Sequence, residues 1–299
     1  MIRYAAATLA NVCSLVDTEN PAWRAKAQTR TAAIIAAGSF TEGTPSWSDV
    51  KAVFMRLQSN KCAFCEFPLG GEFAGKATQD VEHFRPKNTV KAWPKKSKNA
   101  PYGFTTGGPG AGYYWLAYDL NNYAAACKAC NTARKSNYFP IAGARGPAVA
   151  TPADLNAVER PFLVFPLGDL DDDPEELITF EGLVALPVHN DDSHACRRGR
   201  ITIDFFALNQ REELWEDRFR VIHALFDAVE VTKTSPNPDR VELAQRRIED
   251  MISSAGAQAS CARSFLRLLE ADPDTAWNYY VAADSFIADS RKKRTPKLA

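Results

Sequence analysis

Apolar and polar positions divide the chain into a helical beginning, an irregular middle and a helical end. Residues 22–37 read as an alanine-rich helix entered through Asn20 and Pro21 and stopped by Gly38. Ser46 caps a second expected helix to about Ser59, in which Val50, Phe54 and Leu57 recur on one side. The chain then turns tightly through Lys61, Cys62 and Cys65, and residues 78–84 are expected as a strand or strand end. Residues 113–118, short and aromatic, are expected as a buried strand. From Ile201 the period is helical. Leu214, Phe219, Ile222, Phe226 and Val229 mark one amphipathic helix, and residues 241–253, 261–269 and 276–287 mark three more.

Two stretches break this pattern. Residues 86–112 are rich in lysine, proline and glycine and read as a mobile basic loop; no Gly-Lys-Ser/Thr follows the glycine run, so it is not a phosphate loop. Residues 154–176 hold eight acidic residues against Arg160 alone and read as a solvated loop, with a partner-facing or groove-shielding surface as the alternative.

Charge refines the picture locally. Lysine plus arginine equals aspartate plus glutamate at 36 each, so net charge argues neither for nor against nucleic acid. From Phe84 to Tyr118 there is no acidic residue, while Arg85, Lys87, Lys91, Lys95, Lys96 and Lys98 accumulate. No run approaches the roughly 18 apolar residues of a membrane span, and the N-terminal stretch lacks a basic leader, so a cytoplasmic protein is expected. The basic run Arg291 to Arg294 is expected to be a frayed, exposed tail.

Two Cys-x-x-Cys pairs, Cys62/Cys65 and Cys127/Cys130, supply the four soft ligands of a tetrahedral structural zinc. The 61 residues between them exceed the usual ribbon spacing, and four reduced core cysteines are the plainer alternative. A four-thiolate zinc is coordinatively closed, so any catalysis needs other groups. Glu82 and His83 pair a hard oxygen ligand with an imidazole, and Asn131 follows the last cysteine with an amide oxygen. Oxygen ligands suit Mg²⁺ or Mn²⁺. Neighbours on a regular strand face opposite ways, so Glu82 and His83 can share a site only at a bulge or strand end. His189, His194, Asp191, Asp192 and Cys196 read as exposed polar residues rather than a second metal site, and His223 as a core or boundary histidine.

The ordered set Cys62, Cys65, Glu82, His83, Asn122, Cys127, Cys130, Asn131 and Lys135 resembles the HNH, or ββα-metal, nuclease superfamily. Residues 81–87, 115–122, 139–140, 159–166 and 201–209 are similar, more narrowly, to HNH subunits of bacterial anti-phage systems of the Septu kind, some of them retron-associated. About half the chain is covered, and the last 70 residues are not.

The resemblance implies an α+β fold: a zinc-stabilised, treble-clef-like ββα-metal core at 61–140 among helical flanks. Around it lie a helical segment at 1–60, an acidic connecting region at 141–200, a helical region at 201–290 and the basic tail at 291–299. His83 would be the general base, Glu82 and Asn131 would hold the catalytic ion, and Asn122 would tie the loop. The family often has aspartate or histidine at the position of Glu82, and histidine at that of Asn131. The implied activity is phosphodiester hydrolysis, of DNA first and RNA as the alternative, with an ATPase partner. Arg85, Lys87, Lys91, Lys95, Lys96, Lys128, Arg134 and Lys135 are the expected phosphate contacts. From a different class, the chain would be a zinc-stabilised binding subunit with vestigial nuclease residues.

Overall fold

The computed structural model describes residues 1–41, 43, 45–70, 80–94 and 102–294. Lys95, Lys96 and Lys98, and residues 78–79 of the expected strand, lie outside the described residues. The fold is α+β, mostly helical, with two small antiparallel sheets. Among the described residues no helix is long and apolar enough to cross a membrane.

Helix α1 (Leu9–Glu19) opens the chain, capped by the Thr8 hydroxyl. The sequence pattern did not mark it, because Val12 and Val16 are its only buried residues. Helix α2 (Trp23–Ala37) matches expectation and ends at Gly38 in the left-handed conformation, φ 66°. Asn20, expected to start α2, instead closes α1, its N–H donating to the Val16 carbonyl. The second expected helix begins as a 3₁₀ turn, Trp47–Val50, and continues as α3 (Lys51–Leu57). Ser46 does not cap it; its hydroxyl accepts from Arg30.

The first sheet pairs β1 (Asp80–His83) with β2 (Tyr123–Ala126), placing His83 opposite Tyr123 and Asp80 opposite Ala126. Every β2 residue is buried, and its alanines suit a strand covered on both faces. The aromatic stretch expected as a strand is instead a 3₁₀ turn, Tyr114–Leu116. Packing against α2 and the Trp115 indole bond to Ala150 O override its β propensity. After Cys130 the chain forms one π-helical turn, Asn131–Lys135.

The expected basic loop is ordered where described. Val90 and Gly110 exchange backbone hydrogen bonds, and a Cβ on Gly112 would come within 2.3 Å of the Lys87 carbonyl oxygen. That glycine serves close backbone approach beside the site. The acidic stretch is a solvated loop only in part. It contains α4 (Pro152–Glu159) and α5 (Pro174–Leu177). Glu159 is fully buried on Arg85, and Asp171 and Asp172 bind the buried Arg198. Glu159 and Asp171 are thus internal partners of distant arginines, which composition alone does not reveal, while Asp154, Asp169, Asp172 and Glu176 stay exposed.

A second hairpin follows, β3 (Ile178–Glu181) and β4 (Val184–Pro187), turning at Gly182, φ 54°. Five helices complete the chain: α6 (His194–Phe205), α7 (Glu212–Thr234), α8 (Pro238–Ile252), α9 (Ala259–Ala271) and α10 (Pro273–Arg294). His223 is not a core residue: it is exposed on α7, its Nδ1 2.7 Å from the Tyr280 hydroxyl. Arg291 is not frayed, since it sits in the last turns of α10 and pairs with Glu216 at 2.6 Å. One hydrophobic core runs from Met1 to Ile287, so the segments expected as separate regions share an interior.

Candidate metal centre and adjoining cavity

Cys62 and Cys65 lie in the turn after α3, and Cys127 and Cys130 lie between β2 and the π turn. The N–H of Ala63 donates to the Ala125 carbonyl, and Gln58 bridges Lys61 and Ala125, fastening one Cys-x-x-Cys turn to the other. The four thiols are buried and unpaired as disulfides, and their sulfurs all lie within 4.8 Å of one another. Cys65 Sγ is 3.8 Å from Cys127 Sγ. A tetrahedron with Zn–S bonds of about 2.3 Å has edges of about 3.8 Å, so the set can hold a metal such as zinc. Among the described residues it is the one such group of His, Cys, Asp or Glu.

The C-terminal helices close over this cluster. Phe64 stacks on Phe206 with centroids 4.5 Å apart, Gln258 donates to the Cys65 carbonyl, and Lys61 Nζ donates to the Gly256 carbonyl at 2.6 Å. Arg211, just before α7, is buried and aims its guanidinium at the sulfurs: Nη1 lies 3.3 Å from Cys130 Sγ and Nη2 3.9 Å from Cys127 Sγ. Burial opposes the charge on Arg211, but Cys65, Cys130, Glu213 and Cys127 outweigh it and raise its pKa. The sequence carried no local signal for Arg211, 81 residues away from Cys130.

Beside the cluster, β1, the π turn and the Trp47 turn enclose a cavity of about 310 Å³. Glu82, His83, Asn131 and Lys87 all line it. The strand-end alternative applies: β1 stops at His83, so the last two residues both reach the cavity despite strand alternation. Asp80, two residues before Glu82, also lines it and accepts from Asn131 Nδ2 at 3.3 Å. Lys135 lies one turn on from Asn131 and places Nζ 3.4 Å from Glu82 Oε1. Alternate residues of β1 thus meet one face of the π turn. That Asn131 bond leaves its amide oxygen as an acceptor.

His83 is buried edge-on between Trp47 and Tyr123, with centroids at 4.7 and 5.1 Å. Its Nε2 is 3.0 Å from the Ala117 carbonyl, which can only accept. Nε2 therefore carries the proton and Nδ1 the lone pair. Burial, reinforced by the Lys87 and Lys135 charges, pushes the His83 pKa down to about 3, so the ring is neutral. Burial raises Glu82, and the Lys135 ammonium opposes that shift and favours the carboxylate. Lys87 is half-buried with Nζ 4.5 Å over the Trp47 ring.

Asn122 stands behind the cavity. Its Oδ1 accepts from the Arg85 N–H at 2.7 Å, and its Nδ2 donates to the Arg85 and Leu116 carbonyls at 3.0 and 3.1 Å. It pins the chain leaving β1 to the segment entering β2. The expected basic contacts divide. Arg85 and Lys135 are 1% and 0% exposed and are engaged by Glu159 and Glu82, so burial removes both as surface phosphate contacts. Lys91 and Lys128 are exposed, Arg134 and Lys87 are half-buried, and Lys95 and Lys96 lie outside the described residues. Among the other histidines expected at the surface, His194 is half-buried against Phe162, centroids 5.3 Å apart.

Comparison of the chain with protein-family models, with curated proteins and with solved structures finds no match.

Proposed function

We propose that the protein is a metal-dependent endonuclease of the HNH kind, hydrolysing phosphodiester bonds of nucleic acid. The observation that carries this reading is the cavity itself, where Glu82, His83 and Asn131 meet beside the four-cysteine cluster. Glu82, Asn131 and the neighbouring Asp80 offer oxygen donors that would hold Mg²⁺ or Mn²⁺. When bound, that ion supplies charge stabilisation at the scissile phosphate and the leaving oxygen.

The chain's own residues do the rest. His83 Nδ1 takes the proton from a water as its oxygen bonds to phosphorus and the bond to the 3′-oxygen breaks, leaving 5′-phosphate and 3′-hydroxyl ends. General-base help contributes roughly 10²–10⁴ in rate for a base that titrates near the working pH, and the depressed pKa of His83 puts its share at the low end of that range. The Ala117 carbonyl holds the tautomer, Lys135 opposes the upward pull of burial on Glu82, and Lys87 presents a cation at the cavity. DNA is the first substrate to test, and the resemblance to Septu subunits adds an ATPase partner that delivers or restrains the nuclease. Co-purification with a neighbouring ATPase tests that partner.

The direct test is a plasmid and RNA cleavage panel with Mg²⁺, with Mn²⁺ and with chelator, on the wild type and His83→Ala. Divalent-ion-dependent cleavage that vanishes in His83→Ala, at unchanged zinc content, is expected. Cleavage retained by His83→Ala removes His83 from the mechanism.

A further inference from the structure

The π turn is a wall between two cavities. Asn131 and Thr132 line the cavity holding His83, while Ala133 and Arg134 line a second of about 300 Å³ with Trp93, Tyr138 and Phe205. A row of half-buried rings adjoins this second cavity. Trp93 and Tyr102 have centroids 5.6 Å apart, and Tyr102 and Phe104 5.5 Å apart. Phe104 is anchored in turn on the buried Phe162, at 5.4 Å.

Helix α6 lays two arginines over these rings. Arg197 sits 4.5 Å above Phe104 and Arg200 5.0 Å above Tyr102. The spacing matches on both sides: residues three apart share a helix face, and residues two apart share a face of an extended segment. Arg197 Nε is buried without a hydrogen-bond partner. Among the described residues the one carboxylate lining the second cavity, Asp204, is hydrogen-bonded to the Tyr102 hydroxyl. Among the described residues around these rings, Arg134, Arg197 and Arg200 outnumber the one carboxylate, Asp204.

We propose that this aromatic and arginine surface binds a single-stranded polynucleotide leading across the π turn to the His83 cavity. The inference rests on the nuclease reading and narrows its substrate class. Single strands expose the base faces that a duplex hides, and rings interleaved with cations recognise those faces together with the phosphates between them. A duplex offers phosphates alone to such a surface, and stacking rings gain nothing from them. The π turn borders both cavities, Asn131 and Thr132 on one side and Ala133 and Arg134 on the other, and this gives the strand a direction.

The test uses the full chain carrying His83→Ala, so that the probe persists. Labelled oligothymidylate, oligouridylate and a DNA duplex of equal length are titrated by fluorescence anisotropy across a salt series. At least one single strand is expected to bind about tenfold or more tightly than the duplex, and the preferred single strand identifies the sugar. The pair Arg197→Ala and Arg200→Ala lowers the salt slope by about 0.7 per cation, about 1.4 together, for single strands. Trp93→Ala weakens single-strand binding about 5–150-fold, the loss of one stacked base. Arg200→Glu, at an exposed position, gives the same direction of change without touching the interior.

Equal or tighter duplex binding, or wild-type affinity and slope in the arginine variants, overturns the proposal. Binding is read without cleavage, so the two readings separate. Wild-type binding by the arginine variants alongside intact His83-dependent cleavage removes this surface alone. Loss of single-strand binding in those variants, in a chain that cleaves nothing, supports this surface and removes the nuclease reading alone.

Discussion

Replacing Arg211 with methionine keeps much of the side chain's bulk and removes its charge and its donors to Cys130 and Cys127. Four thiolates around a divalent ion leave two negative charges in a buried place. Arg211, 4% exposed, is the cation set against them. Charge-assisted hydrogen bonds of this kind contribute roughly 1.5–3 kcal/mol. Outer partners of metal ligands typically carry about 10–100-fold in metal affinity, which is about 1.4–2.7 kcal/mol. The two ranges agree, so Arg211→Met is expected to raise the zinc dissociation constant about 10–100-fold. Competition with a chromogenic chelator at fixed pH measures it, and zinc release accelerates in parallel. Arg211→Lys keeps the charge without the fork and falls between. Ser260→Ala removes a bond to Glu66 in the same neighbourhood without touching sulfur, and its zinc affinity stays at the wild-type value. Wild-type zinc affinity and release in Arg211→Met would refute the reasoning.

Asn122→Ala removes three buried hydrogen bonds, so urea unfolding should show a loss of roughly 1.5–4.5 kcal/mol at about 0.5–1.5 each. Glu159→Gln leaves Arg85 as a buried charge without its carboxylate, and a loss of about 3–5 kcal/mol is expected in the same assay. His194 is held down to about 4 by burial and then by Arg160 and Arg198. Its contribution to stability is complete above its unfolded pKa of about 6.5 and is lost as pH falls toward the folded value. His194→Gln should flatten the fall in thermal midpoint across that window, and an unchanged slope would show that other groups set it.

A zinc held by the four cysteines would also set the scale on which the site's neighbours matter. Binding at a four-thiolate site contributes roughly 10–16 kcal/mol, comparable to the roughly 5–15 kcal/mol stability of a whole domain. The cysteines flank β2 and the π turn, whose Asn131 lines the His83 cavity, so metal loading would be coupled to the shape of that cavity through the same elements.

Features confined to a few consecutive residues were legible in the sequence. The two Cys-x-x-Cys turns, the α2 stop at Gly38 and the periodic helices near the end each depend on local geometry or spacing. The pairing of Glu82 and His83 with Asn131 was readable as chemistry. Whether two strand neighbours could share one cavity was not, because that depends on where β1 ends. Tertiary structure alone decided the rest. It buried Arg85 on Glu159 and Lys135 under Glu82, turned Asp171 of the acidic stretch onto Arg198, brought Asp80 to Asn131, and carried Arg211 to the sulfurs. The physical reason is the same in each case: a charge's partner is chosen by long-range packing, and no local pattern of residues encodes which distant group will face it.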